Sequence, residues 1–309
     1  MSDSLSRRNM SVDEISLFLN PAAGRGRAKN MGAPIVAEFR DHGISVNLIE
    51  SVAEQDLEEK VCRAASDGAK KIIVAGGDGS IHEAVNGILK ARTDAAALGI
   101  IPIGTGNDFA KAIHASPDWR QAVRTVARKI RDGTAPQQID IGKMNERYFA
   151  NGAGIGFDAK INRLAKEYRL PIGDLVYLLA VFEGLWDGVI TPTVKIRSTN
   201  YEYDGSITLA NISNGPWLGG MFQIAPMAQI DDGLLDLVIA APMSRARIVP
   251  LLPKLMRGSH IGSPGVRHLQ IEDCWLSSEL PLPSHLDGES QPLQSEFNIR
   301  ILKNAMRII

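Results

Sequence analysis

The chain has few cysteines and no long apolar run. Only two of its 309 residues are cysteine, Cys62 and Cys274, which offers neither a disulfide framework nor the ligand spacing of a zinc site. The most apolar segment, from Leu175 to Trp186, is interrupted by Glu183 and is too short to span a bilayer. Residues 1–12 lack the apolar core of a signal peptide and predict a disordered tail. These absences favour a cytoplasmic protein whose membrane contact is peripheral and transient.

The chain also lacks an excess of charge of either sign. Its 34 Lys and Arg residues balance 35 Asp and Glu residues, for a formal net charge of −1. General nucleic-acid binding needs a positive surface, so we expect no nucleic acid among the partners. The hydrophobic content of 44% is ordinary for a globular protein, and the length allows two domains, each with its own core.

The stretch from Lys70 to Gly87, KKIIVAGGDGSIHEAVNG, has the clearest local pattern. The apolar run Ile72 to Ala75 predicts a buried strand that enters a glycine turn, and Ser80 is a candidate cap for a helix beginning at Ile81. Such a turn binds anions, because free N–H groups and the helix dipole point to one place. We expect phosphate there, with Asp78 acting through Mg²⁺ or a hydroxyl donor. The alternative is a solvated turn aspartate.

Two more turns of this kind occur in the first half of the chain. The segment NPAAGRGR begins at Asn20 after one apolar run. The second turn lies in the segment from Leu98 to Asp108, LGIIPIGTGND, where the motif PIGTGND follows another apolar run. Strands alternate here with helical patterns of ten to fifteen residues, which predicts a parallel sheet with ligands beyond the carboxyl ends of its strands. We therefore expect an α/β nucleotide-binding domain over residues 13–136.

The pattern changes after Gly133. Short strands follow one another with turn signals between them, which predicts an antiparallel β-sandwich over residues 137–302. Helical patterns at 159–168, 174–186 and 244–256 would cover this body. Residues 303–309 can return to the first domain.

Three acidic or glycine-rich segments stand out in the second half. They are YFANGAGIGFD at Tyr148–Asp158, IDDGLLD at Ile230–Asp236 and LDGE at Leu286–Glu289, where Asp-Gly favours a hairpin turn. Each alone is typical of a turn. Together they supply the carboxylates that phosphoryl transfer needs for holding a cation and accepting a proton. Phosphate turns on one half and acids on the other indicate a kinase with its active site in the interdomain cleft.

The motifs NPAAG, GGDGS with HEAVNG, PIGTGND, YFANGAGIGFD, DDGLLDL and LDGE occur here in that order. In this respect the chain, from about Ser16 onward, resembles the diacylglycerol kinase catalytic family of bacterial lipid kinases. The resemblance implies a first domain similar to NAD kinase and phosphofructokinase and a β-sandwich second domain. It also implies ATP and Mg²⁺ as cofactors and a role in phospholipid metabolism, and it leaves room for a homodimer.

The nucleotide-binding positions implied by the resemblance are Asn20, Pro21, Ala22, Ala23, Gly24, Ser51, Gly76, Gly77, Asp78, Gly79, Ser80, Glu83 and Thr105.

The resemblance also implies a metal site and a set of catalytic acids. Asp232, with backbone at Gln229 and Leu234, matches a structural magnesium site. Asp287 and Glu289 match the general-base pair; the spacing alone does not tell which accepts the proton, and the resemblance favours Glu289 with Asp287 as its partner. Asp78, from its place in the glycine turn, is a third candidate catalytic residue. Two positions depart from the family pattern. Ser80 replaces the usual threonine and keeps the hydroxyl, and Gln229 replaces an apolar residue.

The expected reaction is transfer of the γ-phosphate of ATP to a hydroxyl of a diacylglycerol-like lipid taken from the membrane surface. A kinase for a soluble substrate, of the NAD kinase type, and a non-catalytic nucleotide-binding regulator are the alternatives. The side chains of Leu175, Leu178, Leu179, Phe182 and Trp186 are candidate acyl-chain contacts, unless this segment only covers the sandwich.

Overall fold

The computed structural model describes residues 15–53, 55–93, 95–168, 173 and 175–309, and the predicted tail at residues 1–12 lies outside them. The first half is the predicted α/β unit. Its elements are β1 (Ile15–Leu19), α1 (Gly32–Asp41), β2 (Val46–Glu50), α2 (Asp56–Ser66), β3 (Lys71–Gly76), α3 (Asp78–Lys90), β4 (Ala97–Pro102), α4 (Asp108–Ala112) and α5 (Trp119–Arg131). The strands lie parallel in the order β2-β1-β3-β4, which confirms the predicted parallel sheet.

Helices cover both faces of this sheet because β3 is apolar on both sides. Ile72 and Val74 pack into one apolar cluster with α2 and α3, and Ile73 and Ala75 pack into another with α1 and α5. A strand buried on both faces reads as a continuous apolar run, which is why the sequence pattern was clear here.

The second half is mainly antiparallel. Its elements are β5 (Gln137–Met144), β6 (Arg147–Phe149), β7 (Gly152–Gly156), α6 (Phe157–Glu167), α7 (Leu175–Asp187), β8 (Thr193–Ser198), β9 (Tyr201–Ser206), β10 (Leu209–Ser213), β11 (Trp217–Leu218), β12 (Phe222–Gln223), β13 (Leu235–Ala240), α8 (Arg245–Ile248), α9 (Leu252–Met256), β14 (Val266–Ile271), β15 (Asp273–Leu286) and β16 (Glu289–Ile308). Inward side chains such as Phe297, Ile212 and Leu237 form its core.

The twenty-residue strand β16 runs through both halves. It pairs antiparallel with β15 and β5, and its end lies parallel to β4, where Arg307 is opposite Ala97 and Ile308 is opposite Leu98. The β15–β16 hairpin is therefore fixed at one end to the parallel sheet. The limits of the two domains, 13–136 and 137–302, stay a prediction.

Three local predictions were wrong. Helix α3 begins at Asp78, so Ser80 lies inside its first turn and does not cap it. The segment Gly152–Gly156 is a buried strand between β10 and β15, although it lacks the apolar residues that normally mark one. The helix predicted at 244–256 is broken into α8 and α9, because proline there removes backbone N–H donors.

Two sequence-based expectations concern cysteine and the membrane. Cys62 and Cys274 are free thiols, and burial raises the pKa of the Cys274 thiol to about 12. Within the described ranges, no helix combines the length and the apolar character that a membrane crossing requires.

Candidate active site

The loops that follow four parallel strands meet at one edge of the first sheet. Asn20–Gly24 follow β1, Ser51 follows β2, Gly76 ends β3 with Gly77–Ser80 directly after it, and Thr105 lies in the turn after β4. Because these four strands are neighbours in the sheet, twelve of the thirteen predicted nucleotide-binding residues lie along the carboxyl ends of the strands. The thirteenth, Glu83, lies further along α3.

Hydrogen bonds tie these loops to one another. The amide nitrogen of Asn20 donates to the Ser80 hydroxyl over 3.2 Å, and the Asn20 side-chain oxygen accepts the N–H of Ala22 over 2.9 Å. The N–H of Ser51 donates to the carbonyl of Leu19 at 2.9 Å. Ser80 thus holds the first and third loops together, a role that its predicted place as a helix cap did not include.

Two glycines in adjacent turns are required by close packing of the backbone. A Cβ atom on Gly77 would lie 3.0 Å from the Cα of Gly104, and one on Gly104 would lie 2.5 Å from the Cα of Gly77. The two turns therefore pack backbone against backbone beside the start of α3, where the first N–H groups of a helix have no acceptor within the helix and can bind an anion.

The LDGE segment forms the predicted hairpin turn. Asp287 and Gly288 both have positive φ angles, 50° and 86°, and Leu286 pairs with Glu289 across the turn. The carboxylate of Asp287 is only 4% exposed. It accepts the N–H groups of Ala150 at 2.9 Å, Asn151 at 2.8 Å and Gly152 at 3.0 Å, and it lies 3.0 Å from a ring nitrogen of His82. Four donors occupy both oxygens of Asp287 and fix the turn.

Glu289, in contrast, reaches out of the turn toward the glycine loop. Its Oε1 atom lies 2.7 Å from the position that a Cβ on Gly79 would take. Its other oxygen pairs with the ammonium of Lys166, and the Glu289 side chain is 32% exposed. The acidic turn of the second half therefore touches the phosphate-type turn of the first half.

Asp78 lies beside this contact, and its carboxyl has a raised pKa. Burial, followed by the negative charges of Asp108 and Asp287, raises its pKa to about 8. Its Oδ1 atom accepts the N–H of Phe109 at 3.2 Å, which opposes the shift. Asp108 in turn accepts the N–H of Gly220 at 2.9 Å and pairs with Lys111 at 3.6 Å. Two acids so placed repel each other and attract a cation.

A cavity of about 310 Å³ lies where the two halves meet. Asp78, Gly79 and Thr105 line it from the first half, and Asp287 and Glu289 line it from the second. Arg25 and Lys166 add positive charge to its wall. Asp108, Lys166, Arg25 and His82 are not among the site residues predicted from the sequence. Asp108, His82 and Arg25 stand within the PIGTGND, HEAVNG and NPAAGRGR segments, which is the signal that could have pointed to them.

Glu83 has a structural task that the sequence did not indicate. Its carboxylate accepts the N–H groups of Leu57 at 3.1 Å and Glu58 at 3.3 Å, so it caps the first turn of α2. Burial raises its pKa despite these bonds. Its place in nucleotide binding stays a prediction.

Asp232 lies on an exposed loop before β13. Its carboxylate accepts the N–H of Leu234 at 3.0 Å, and the adjacent Gly233 N–H donates to the buried Asp140 at 2.6 Å. No group of three or more His, Cys, Asp or Glu side chains is arranged for a metal in the described part of the chain. A hydrated magnesium ion can be held by one carboxylate with carbonyls and water, which is the donor set that Asp232, Gln229 and Leu234 would offer. That site stays a prediction.

A second, apolar cavity of about 110 Å³ adjoins the first. Tyr177 and Leu218 line both cavities, and the walls of the second come from α6, α7, α8, α9 and the sheet. From α7 it is Tyr177 and Val181 that face it. Four of the five predicted acyl contacts, Leu175, Leu179, Phe182 and Trp186, instead form an exposed outer stripe of α7.

Family models match nearly the whole described chain. Residues 14–144 match "Diacylglycerol kinase catalytic domain", and residues 152–309 match "YegS C-terminal NAD kinase beta sandwich-like domain". Among similar proteins, a diacylglycerol kinase of Staphylococcus haemolyticus is 30% identical over 88% of this chain and 81% of its own length. One of Bacillus subtilis is 29% identical over 88% of each chain.

A solved structure shares the fold. The crystal structure of a putative diacylglycerol kinase from Bacillus anthracis superposes with a TM-score of 0.78 at 24% identity and covers 96% of both chains. The predicted combination of a parallel α/β half and a β-sandwich-like half is confirmed, as is the resemblance on which it partly rested.

Proposed function

The chain belongs to the diacylglycerol kinase family, and from this premise we propose that it is an ATP-dependent kinase for a diacylglycerol-like lipid. The observation that carries the proposal is the contact between Glu289 and the Gly79 turn. It puts a partly exposed carboxylate beside a helix N-terminus, so that one cavity offers an anion site and a base. The reaction class follows from these two parts together.

In this proposal the phosphates of ATP lie over the start of α3. The N–H groups of the first turn and the helix dipole favour negative charge. Thr105 in the cavity wall and Ser80 in the first turn of α3 would add hydroxyl groups. Arg25 and Lys166 in the cavity wall compensate the charge of the phosphates. The mutual repulsion of Asp78 and Asp108 fits a divalent cation. Magnesium would neutralise charge that develops on the phosphates, and Asp78 would help to hold it.

Glu289 is the proposed proton acceptor. The lipid hydroxyl oxygen forms a bond to the γ-phosphorus, the bond from that phosphorus to the bridging oxygen of ADP breaks, and the hydroxyl proton passes to the Glu289 carboxylate. Asp287 is less suited to this step because four donors occupy its oxygens. Its proposed part is to hold the turn.

The apolar cavity supports a lipid acceptor over a soluble one. Tyr177 and Leu218 line both cavities, so an acyl chain in the apolar cavity would lie beside the cavity that contains the acids. The outer stripe of α7, with Phe182 and the 81% exposed Trp186, offers apolar and aromatic groups that favour the membrane interface. We propose that the enzyme takes its substrate from a bilayer surface by peripheral contact.

The deciding experiment supplies labelled ATP with dispersed diacylglycerol and, separately, with NAD. We expect label in phosphatidic acid and none in NADP. Labelled NADP would establish the soluble-substrate alternative, since that kinase type shares the GGDG turn. No transfer to either acceptor or to a panel of lipid extracts, with ATP binding intact, would support the non-catalytic alternative.

A further inference from the structure

A buried histidine on α3 contacts the acidic turn. His82 is 2% exposed, and its Nδ1 atom lies 3.0 Å from Oδ2 of Asp287. These two residues come from opposite halves of the chain. The pair is therefore a second, buried link between the glycine turn, four residues before His82, and the turn that carries Glu289.

The surroundings of the other ring nitrogen decide where the proton sits. The Nε2 atom of His82 is 3.4 Å from the amide nitrogen of Asn86 and 3.5 Å from a guanidinium nitrogen of Arg147. Both neighbours are donors, so Nε2 can only accept. The ring proton therefore sits on Nδ1, where it donates to the Asp287 carboxylate.

Both of these neighbours are held in place by other bonds. Arg147 makes a two-point pair with the buried Glu58 carboxylate, at 3.1 and 2.8 Å. Asn86 exchanges two hydrogen bonds with the backbone of Tyr148, at 3.0 and 3.1 Å. Asn86 therefore cannot turn its side-chain oxygen toward Nε2, and the guanidinium of Arg147 has no acceptor to offer. These bonds fix the surroundings of the imidazole.

We propose that His82 is a positioning residue for phosphoryl transfer. It acts through Asp287, whose side chain fixes a turn with two positive φ angles, and the turn in turn sets where Glu289 lies over Gly79. The inference rests on the proposed role of Glu289. Loss of the Nδ1 donor leaves the N–H of Ala150 as the one remaining partner of Asp287 Oδ2 among the bonds described above. The carboxylate can then shift, and a displacement of about 1 Å at a reacting group can cost about 100-fold in rate.

Three variants separate the two ring nitrogens. In His82→Asn the amide nitrogen lies near the former Nδ1 position and can still donate to Asp287, whereas in His82→Gln it lies near Nε2. His82→Leu removes both. We expect the asparagine variant to keep kcat within about threefold of wild type, and the glutamine and leucine variants to lose about 10- to 100-fold in kcat with little change in KM for ATP.

The same losses measured in a Glu289→Gln background test the route of the effect. If His82 acts through the turn, His82→Leu adds little to the loss that Glu289→Gln already causes. Equal kcat for all three His82 variants, or losses that multiply fully in the double variant, would overturn the proposal.

One readout does not depend on activity or on the variants folding. In protein labelled with ¹⁵N-histidine, NMR should show His82 with its proton on Nδ1 and a bare Nε2. A proton on Nε2 would refute the assignment. If the tautomer is as expected but no acceptor is phosphorylated, the proposed function fails while the buried link stands.

Discussion

Replacing Asp78 with asparagine should stabilise the free protein while it removes phosphoryl transfer. The pKa of Asp78 rises from its ordinary value of 3.8 to about 8, through burial first and then the charges of Asp108 and Asp287. Between about pH 4 and pH 8, therefore, the folded protein keeps a proton on Asp78 that the unfolded chain has already released. Stability falls as pH rises through that window, by at most about 1.4 kcal/mol per pH unit.

Asparagine removes this penalty and keeps the useful contact. Its side-chain oxygen can still accept the N–H of Phe109. Because the Asp78 side chain borders the cavity, solvent screens part of the penalty, and we expect a gain of about 2 to 4 kcal/mol at pH 8 and little gain near pH 4. Turnover should fall about 100-fold or more.

The assay is urea unfolding of both proteins at about pH 5 and pH 8, together with lipid phosphorylation. Asp41→Asn, an exposed change of the same kind at the end of α1, is the matched control and is measured at both pH values. A stability difference for Asp78→Asn that is constant or shrinks as pH rises would refute the electrostatic reasoning. Turnover within a few-fold of wild type would make Asp78 a simple turn former.

Three further outcomes follow from the geometry. Gly79→Ala should lower turnover at least tenfold with little loss of stability, because its Cβ would lie 2.7 Å from the Glu289 carboxylate and displace it. Unchanged turnover would show that the contact between Gly79 and Glu289 does not matter for the reaction. Manganese-soaked crystals should show an anomalous peak beside Asp232 if that loop holds a cation, with oxygen ligands at about 2.0 to 2.1 Å for magnesium itself. Phe182→Ser combined with Trp186→Ser should weaken flotation with anionic vesicles while it leaves ATP affinity unchanged, and equal flotation would remove α7 from the membrane contact.

Local signals in the sequence were enough for the parallel sheet and for the acidic hairpin. A strand buried on both faces, such as β3, is an uninterrupted apolar run, and Asp287-Gly288 is a dipeptide suited to the two positive φ angles found there. The order of the motifs predicted, in addition, that the phosphate-binding turn of the first half works together with acids far along the chain. These features are predictable because each is decided within a few residues of chain.

Features that depend on distant neighbours were not predictable in this way. The strand Gly152–Gly156 is rich in glycine because side chains from elsewhere in the fold pack against its backbone. A Cβ on Gly154 would lie 2.2 Å from an Asp158 oxygen and 2.3 Å from Nε2 of His285. The same holds for His82, which in sequence is an ordinary helical residue 205 positions away from Asp287.

The proposed reaction depends on Glu289 of the second half accepting the proton of a lipid hydroxyl that attacks a phosphate bound by the first half. Its most direct test is Glu289→Gln, assayed for transfer of label from ATP to diacylglycerol beside calorimetric ATP affinity and melting temperature. The account predicts about a 100- to 10,000-fold loss of transfer with ATP affinity and melting temperature little changed. Transfer near the wild-type rate in a folded, ATP-binding Glu289→Gln protein would contradict it.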